Sequence, residues 1–139
     1  MIDVTPLPLV PAADTIEPEV AEYIIRECCG RALGKDTYEA VEAYTSGELS
    51  IWVSPGRGFL LLQTIDYDGT NKSLFVRAIQ GRDLYSPEGV ESLRILAQRE
   101  GCDIIEAVAT RPAVRRQLIR LGFIDDDIVD GKMRLLKGV

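Results

Sequence analysis

Histidine is absent from the 139 residues of this chain. Its absence excludes nucleophile systems that use imidazole as the base, and it excludes metal sites with histidine ligands. Cysteine is scarce as well: Cys28 and Cys29 are adjacent, and Cys102 stands alone. This sparse, odd set indicates free thiols in a reducing compartment rather than a disulfide framework. Three thiols without histidine also make a poor zinc site, so we predict no metal.

Long apolar runs are missing too. No stretch approaches the roughly 18 apolar residues that a membrane-spanning helix needs. The start of the chain lacks the basic region and the apolar core of a signal peptide. We therefore expect a protein that has no membrane partner and is cytoplasmic in the cell that produces it.

Basic residues are outnumbered, with 16 Lys and Arg against 22 Asp and Glu and a net charge of −6 at pH 7. General nucleic-acid binding depends on clustered cations that neutralise phosphates, so this balance argues against it. Four arginines nevertheless recur along one predicted helix. We interpret them as a solvated face or as a contact surface for another protein subunit. They are Arg111, Arg115, Arg116 and Arg120.

The composition is that of one globular domain, with 46% hydrophobic and 27% charged residues. Three prolines make residues 1–13 an extended arm, with at most a short strand near residues 2–4. The arm is either the first edge strand of a sheet or a tail that docks on a neighbouring subunit, and the sequence leaves both open. Residues 14–139 are predicted to form the single domain.

Apolar periodicity predicts two helices, three strands, a helix, a strand, a helix and a final hairpin. The first helix is expected at residues 17–29, with Val20, Ile24 and Cys28 on its buried face and Gly30 at its end. Short turns join the three strands, which indicates an antiparallel meander.

The second half of the pattern indicates a parallel strand pair. Ser86 and Pro87 mark the start of a helix that separates two strands, an arrangement that normally makes such a pair. Within the meander, residues 59–62 are continuously apolar, so their strand is expected to be covered on both faces. The predicted fold class is α/β (α+β), a mixed and mainly antiparallel sheet with helices on both faces.

From about residue 18 onward, this succession resembles the GNAT (general control related N-acetyltransferase) superfamily. The last helix of that family has the form N-x-x-A-x-x-x-x-Y-x-x-x-G-F, and it is followed by a closing strand pair. Ala113, Gly122 and Phe123 fall on this pattern. The resemblance implies the GNAT fold; function has to be argued from the site, because a fold does not fix it.

The family also implies a place for a cofactor. In members that use acyl-CoA, the loop after the fourth strand carries Q/R-x-x-G-x-G/A, whose backbone N–H groups hold the pyrophosphate. Here Gln80 starts the motif, but Asp83 and Tyr85 stand at the glycine positions. A carboxylate repels phosphate, and a tyrosine blocks close approach of the backbone. Any remaining acetyl-CoA site would use Gln80, Gly81 and Arg82.

Other residues also stand at the positions of the family's catalytic groups. The family's tyrosine, often the general acid, aligns with Leu118, and its asparagine aligns with Thr110. Leucine cannot transfer a proton. Glu106 can be imagined as a general base, although a solvated or cross-strand-paired carboxylate is the favoured interpretation. Tyr85 is the hydroxyl nearest to the lost acid, and a packing role is favoured for it. We therefore assign no catalytic residue.

One group within the superfamily lacks the same features, namely the small GNAT-like virion proteins of tailed bacteriophages. The pieces that match are residues 110–122 and residues 129–135, the second of which reads VDGKMRL. This resemblance implies a role in virion assembly, with phage structural proteins as partners, a place in the virion and no cofactor.

The sequence leaves three functional hypotheses. The favoured one is a non-catalytic GNAT-like protein that acts through protein–protein contacts as a bacteriophage virion or assembly component. The second is a divergent acyl-CoA-dependent N-acetyltransferase with acetyl-CoA as cofactor, since positioning an amine against a thioester is the essential requirement. The third is a binding domain for another ligand in the cleft between the fourth and fifth strands.

Overall fold

A seven-stranded sheet with helices on both faces organises the protein, as predicted. The computed structural model describes residues 4–12, 16–81, 83–129 and 132–139. The strands are β1 (Val10–Pro11), β2 (Leu49–Ser54), β3 (Gly58–Tyr67), β4 (Asn71–Gly81), β5 (Ile104–Ala109), β6 (Ile124–Val129) and β7 (Lys132–Gly138). The helices are α1 (Pro18–Tyr23), α2 (Gly30–Leu33), α3 (Thr37–Thr45), α4 (Pro87–Arg99) and α5 (Pro112–Arg120). None of them, within these ranges, combines the length and apolarity that crossing a membrane requires.

The strand order is β1-β2-β3-β4-β5-β7-β6. The predicted meander is confirmed, because β2, β3 and β4 pair antiparallel. The predicted parallel pair is confirmed as well, since β4 and β5 run in the same direction with α4 between them in sequence. The hairpin turn at residues 130–131 lies outside the described residues.

The sheet is buried on both faces at β3. Leu60, Leu61 and Leu62 follow one another, and each is at most 2% exposed. Leu60 and Leu62 belong to the core under α4 and α5, whereas Leu61 belongs to the core under α1, α2 and α3. Burying each of these side chains is worth about 2 kcal/mol. The continuous apolar run therefore marks a central strand, as expected.

A β-bulge in β4 decides where the sheet opens. Leu61 pairs with Ala78 and Leu62 pairs with Val76, so Arg77 is an extra residue on β4. The pairing between β4 and β5 extends as far as Val76 and Ala107, and beyond that point the strands diverge. A bulge bends its strand and increases the local twist. The bulge at Arg77 therefore lies where a cleft begins between β4 and β5.

The arm forms an edge strand on its own sheet, which is one of the two alternatives that the sequence left open. Its strand is β1, where Val10 pairs with Val53. Of the short strand expected near residues 2–4, residues 2 and 3 lie outside the described residues, and Val4 is not in a strand. The Ser92 hydroxyl donates to the Leu7 carbonyl at 2.6 Å, which ties the arm to α4.

The prediction for the first helix, residues 17–29, is confirmed in its helical extent but wrong about its regularity and about Gly30. Helix α1 ends at Tyr23 and continues as a π-helical turn over Ile24–Cys28. Gly30 begins α2 instead of ending a helix. A glycine without a positive φ is no helix terminator, and Gly30 is absent from the positive-φ glycines.

The predicted buried face of that helix is confirmed in part, because Ile24 is buried and Cys28 packs against the core. Val20 is 45% exposed, whereas Ala21, Ile25 and Cys29 are buried. Residues 20, 24 and 28 have the same spacing as residues 21, 25 and 29, so spacing does not distinguish the two faces. Val20 is the member of the predicted face that proves exposed, and the smaller Ala21 is buried in its place. Ala21 and Cys29 are small, which is compatible with close packing of the helix.

Candidate functional site

A cleft of about 730 Å³ opens where β4 and β5 diverge. The end of β4 lines one side, including Gln80 and Gly81. The loop before α4 contributes Asp83 and Tyr85, and the start of α5 contributes Arg111. The structure thus brings the loop singled out by the sequence and the last helix to one cavity.

Two of the three candidate cofactor residues line this cleft. They are Gln80 and Gly81, while Arg82 lies outside the described residues. Gly81 has a φ of 141°, and a Cβ built there would lie 2.1 Å from the carbonyl oxygen of Arg57. The backbone of the turn before β3 therefore requires a glycine at this position whether or not a ligand binds.

Asp83 lines the cleft in the loop before α4, where the family's motif would place the cofactor phosphates. Its φ is 61°, in the left-handed region that few residues other than glycine adopt. Its carbonyl accepts a hydrogen bond from the Ser86 hydroxyl at 2.5 Å, which holds the loop against the start of α4. A carboxylate at this position makes the cleft less favourable for an anion.

Tyr85 joins the loop to α5. It packs against the core under α4 and α5, and its carbonyl accepts a hydrogen bond from Gln117 Nε2 at 2.6 Å. Burial raises the pKa of Tyr85, so the hydroxyl keeps its proton across the neutral range. The packing role that the sequence favoured is confirmed.

The loop before α4 packs against the first turn of this helix and accepts one of its hydrogen bonds. The Ser86 hydroxyl accepts the Gly89 N–H at 3.1 Å, as predicted for an N-cap. A Cβ built on Gly89 would lie 1.9 Å from the carbonyl oxygen of Leu84. The loop therefore fills the space at this glycine and uses one N–H group of the first turn. Neither the space nor this N–H group is available to a bound phosphate.

No protein-family model and no curated protein sequence matches the chain. Its structure resembles an acetyltransferase of the GNAT family from Listeria monocytogenes, with a TM-score of 0.65, 12% identity, and coverage of 96% of this chain and 95% of that one. It also resembles a chain of the NatC complex bound to Gag peptide and CoA, with a TM-score of 0.67, 14% identity, and coverage of 97% and 99%. A GNAT family acetyltransferase from Elizabethkingia anophelis with acetyl-CoA bound gives a TM-score of 0.59, 12% identity, and coverage of 96% and 98%. The chain has the GNAT fold.

The residue that the sequence resemblance aligns with the family's usual acid is closed off from solvent. Leu118 is fully buried in the core under α5. It offers neither a proton nor access to the cleft. Thr110, aligned with the family's asparagine, lines the cleft, but the N-cap of α5 is Arg111, without a side-chain capping bond.

The structure separates the four arginines that the sequence grouped together. Arg111 lines the cleft. Arg115 donates to Asp125 through Nε at 3.0 Å and through a second guanidinium nitrogen, and these hydrogen bonds raise the pKa of Arg115. Arg116 and Arg120 are exposed. Of the four arginines predicted to form a contact surface, two thus have no ion pair within the described part of the chain, one lies at the cleft and one is bound to β6.

Glu106 is a paired structural carboxylate, the interpretation that the sequence favoured. It is 4% exposed and lies 2.8 Å from the Tyr67 hydroxyl and 3.0 Å from Arg134. Ser73 Oγ lies 3.5 Å away. Burial, with the hydrogen bond to Glu106, raises the pKa of Tyr67. Glu106 is not among the described residues that line the cleft.

Sequence reasoning missed Arg77, the residue at the bulge. Its side chain is 9% exposed and donates to Gln63 at 2.9 Å and to Glu39 on α3. It lines the cleft and also a second cavity of about 320 Å³, which reaches Lys132. An arginine inside the apolar run FVRAI was the available signal, because such a charge needs a partner when it is buried.

Proposed function

We propose that this GNAT-fold protein is non-catalytic and acts through contacts with other proteins, as a bacteriophage virion or assembly component. The observation that carries the proposal is the state of the phosphate end of the cleft. Asp83 lines it, and the Gly89 N–H is bonded to Ser86. A site for acyl-CoA needs free N–H donors and no opposing charge at this point.

The acid–base groups support the same proposal. Leu118 is buried where the family carries an acid, and Glu106 is held by Tyr67 and Arg134. Tyr85 has a raised pKa, which makes it a poor proton donor to a leaving thiolate. The virion role rests on the resemblance of residues 110–122 and 129–135 to the small GNAT-like phage proteins.

The alternative is a divergent acyl-CoA-dependent N-acetyltransferase. The cleft of about 730 Å³ favours it, with Gln80, Gly81 and Arg111 along its lining. Solved neighbours of the same fold hold CoA or acetyl-CoA. In this alternative the chain's residues would position the acyl group in the strand divergence, and Arg111 would offset the charge of Asp83.

Titration calorimetry with acetyl-CoA separates the two functions. We expect no binding with a Kd below about 100 μM, because one carboxylate opposes the phosphates and one donor is already used. Micromolar binding that Arg111→Ala abolishes, and that Arg116→Ala leaves unchanged, would overturn the non-catalytic proposal. The two variants are matched because both remove one exposed arginine near α5.

Partner contact through α5 is tested by charge reversal. Changing Arg116 and Arg120 to glutamate together is expected to abolish cosedimentation of the protein with virions. The free energy of unfolding should stay within about 0.5 kcal/mol, because both side chains are exposed. Arg115→Glu is the contrasting variant, since it breaks the pair with Asp125 and acts on the fold. Cosedimentation that survives the double reversal would exclude this surface as the contact.

A further inference from the structure

The two edges of the sheet are built differently. At one edge, β1 is two residues long and includes Pro11, which has no N–H to offer. At the other edge, β6 is six residues long and pairs on one side with β7. Proteins usually shorten or interrupt an edge strand to prevent pairing with other chains. This protein does so at β1, whereas β6 is longer and carries a bulge between Asp125 and Asp127.

Strand β6 also carries two exposed isoleucines. Ile124 is 71% exposed and Ile128 is 70% exposed, the highest values among the large hydrophobic side chains described. Ile124 lies opposite Leu136 and Ile128 lies opposite Met133 on β7. β-Branched side chains at an edge gain stability when a neighbouring strand supplies cross-strand contacts. The edge therefore presents side chains suited to a further strand.

The three aspartates of β6 differ in whether they form an ion pair. Asp125 is bound to Arg115, and Asp126 lies 3.4 Å from Arg134. Asp127 makes no ion pair within the described ranges of the chain. Its carboxylate accepts the Ile128 N–H at 2.7 Å, a donor that the carbonyl of an added strand would also satisfy. Asp127, which lies opposite Arg134 on β7 without the ion pair that Asp126 makes to it, thus places a carboxylate between the two exposed isoleucines.

The negative charge of Asp127 determines which kind of strand can pair with β6. Two copies joined antiparallel through the middle of β6 would bring their aspartates together, which like-charge repulsion opposes. We propose that β6 receives an extended segment of another protein, in which apolar residues alternate with lysine or arginine and which adds to the sheet as an eighth strand. Main-chain hydrogen bonds would supply affinity, and the basic residue opposite Asp127 would supply specificity. This inference rests on the proposed role in protein contacts and names the chemistry of one partner.

A pair of model peptides tests the proposal on the full chain. An eight-residue peptide of alternating valine and lysine is compared with one of alternating valine and glutamate, both fluorescently labelled. Fluorescence anisotropy gives the affinity, and NMR hydrogen exchange reports on the backbone of β6. We expect the lysine peptide to bind and to slow exchange of the Ile128 amide at least tenfold, while the glutamate peptide does not bind.

Two charge reversals distinguish peptide binding at the β6 edge from non-specific attraction to the negatively charged protein. Asp127→Lys is expected to weaken the lysine peptide about tenfold or more, since it replaces an attraction with a repulsion at the contact. Glu42→Lys makes the same change of net charge on the exposed surface of α3 and should alter affinity less than about twofold.

Three outcomes would overturn the proposal: equal binding of both peptides, absence of binding up to about 1 mM, and an equal effect of the two reversals. Self-association of the protein through β6, seen as a concentration-dependent mass in sedimentation, would also overturn it in favour of a second copy as occupant. None of these outcomes depends on acetyl-CoA, whose binding tests the non-catalytic role separately.

Discussion

Gly89→Ala is expected to lower the free energy of unfolding by about 3 kcal/mol, near the top of the usual range for overpacking. In most helices the same exchange raises stability by up to about 1 kcal/mol. Here the added Cβ would lie 1.9 Å from the Leu84 carbonyl oxygen and 2.8 Å from its carbon. Leu84 is buried in the core under α4, so the loop has little room to retreat. Unfolding in urea measures the loss.

Gly30→Ala is the matched control, because Gly30 also stands in the first turn of a helix. Its Cβ would come no nearer than 4.0 Å to the closest neighbour, Thr37 Oγ1. This variant is expected to match the parent or to gain up to about 1 kcal/mol. Equal effects at both glycines would contradict the close packing of the loop on α4. A glycine required for a ligand would tolerate the added methyl group in the ligand-free protein, so the predicted loss assigns Gly89 to the fold.

The order of elements was predictable because each is encoded locally. Ser86 followed by Pro87 marks the start of α4, and the structure shows the corresponding N-cap bond. The continuous run of leucines marks β3, which is buried on both faces. The turns of the meander are short, so the antiparallel pairing follows from chain connectivity.

The bulge at Arg77 and the position of the arm were not predictable in the same way. A bulge depends on how two strands register against each other, and no local pattern specifies the extra residue. The arm pairs with β2 across about 40 residues of sequence, so its strand is fixed by tertiary packing rather than by its own composition. The error at Val20 has a simpler cause, since residues 20 and 21 begin faces with the same spacing and Val20 is the larger of the two.

The site combines a preserved geometry with altered chemistry. The sequence located the loop that lines the cleft, because the motif begins at Gln80 and continues to Asp83 and Tyr85. It did not show that Arg111 would reach the same cleft, since helix α5 had to be placed against the sheet first. The cavity lies beside the bulge where β4 and β5 stop pairing, whereas phosphate binding requires particular residues along the loop. The fold can therefore form the cleft whether or not the loop binds a phosphate.

Glu106→Ala is expected to lower the free energy of unfolding by about 3 kcal/mol, the lower end of the range for breaking a buried ion pair. The lower end applies because Arg134 is partly exposed and keeps Asp126 as a second partner. The Tyr67 hydroxyl also loses its acceptor at 2.8 Å. Asp126→Ala is the control on the same arginine, and it should cost less than about 1 kcal/mol because its carboxylate is exposed.

Comparing Glu106→Ala with Asp126→Ala, and adding Glu106→Gln, decides whether Glu106 has a structural role or acts as a general base. A structural carboxylate predicts that Glu106→Gln recovers part of the lost stability, because the amide oxygen can still accept from Tyr67. A base predicts that stability changes little and that any acyl transfer disappears with the charge. If Glu106→Ala cost no more than Asp126→Ala, the buried network would contribute little to the fold. Glu106 would then be the first residue to test for catalysis, and the non-catalytic proposal would lose one of its supports.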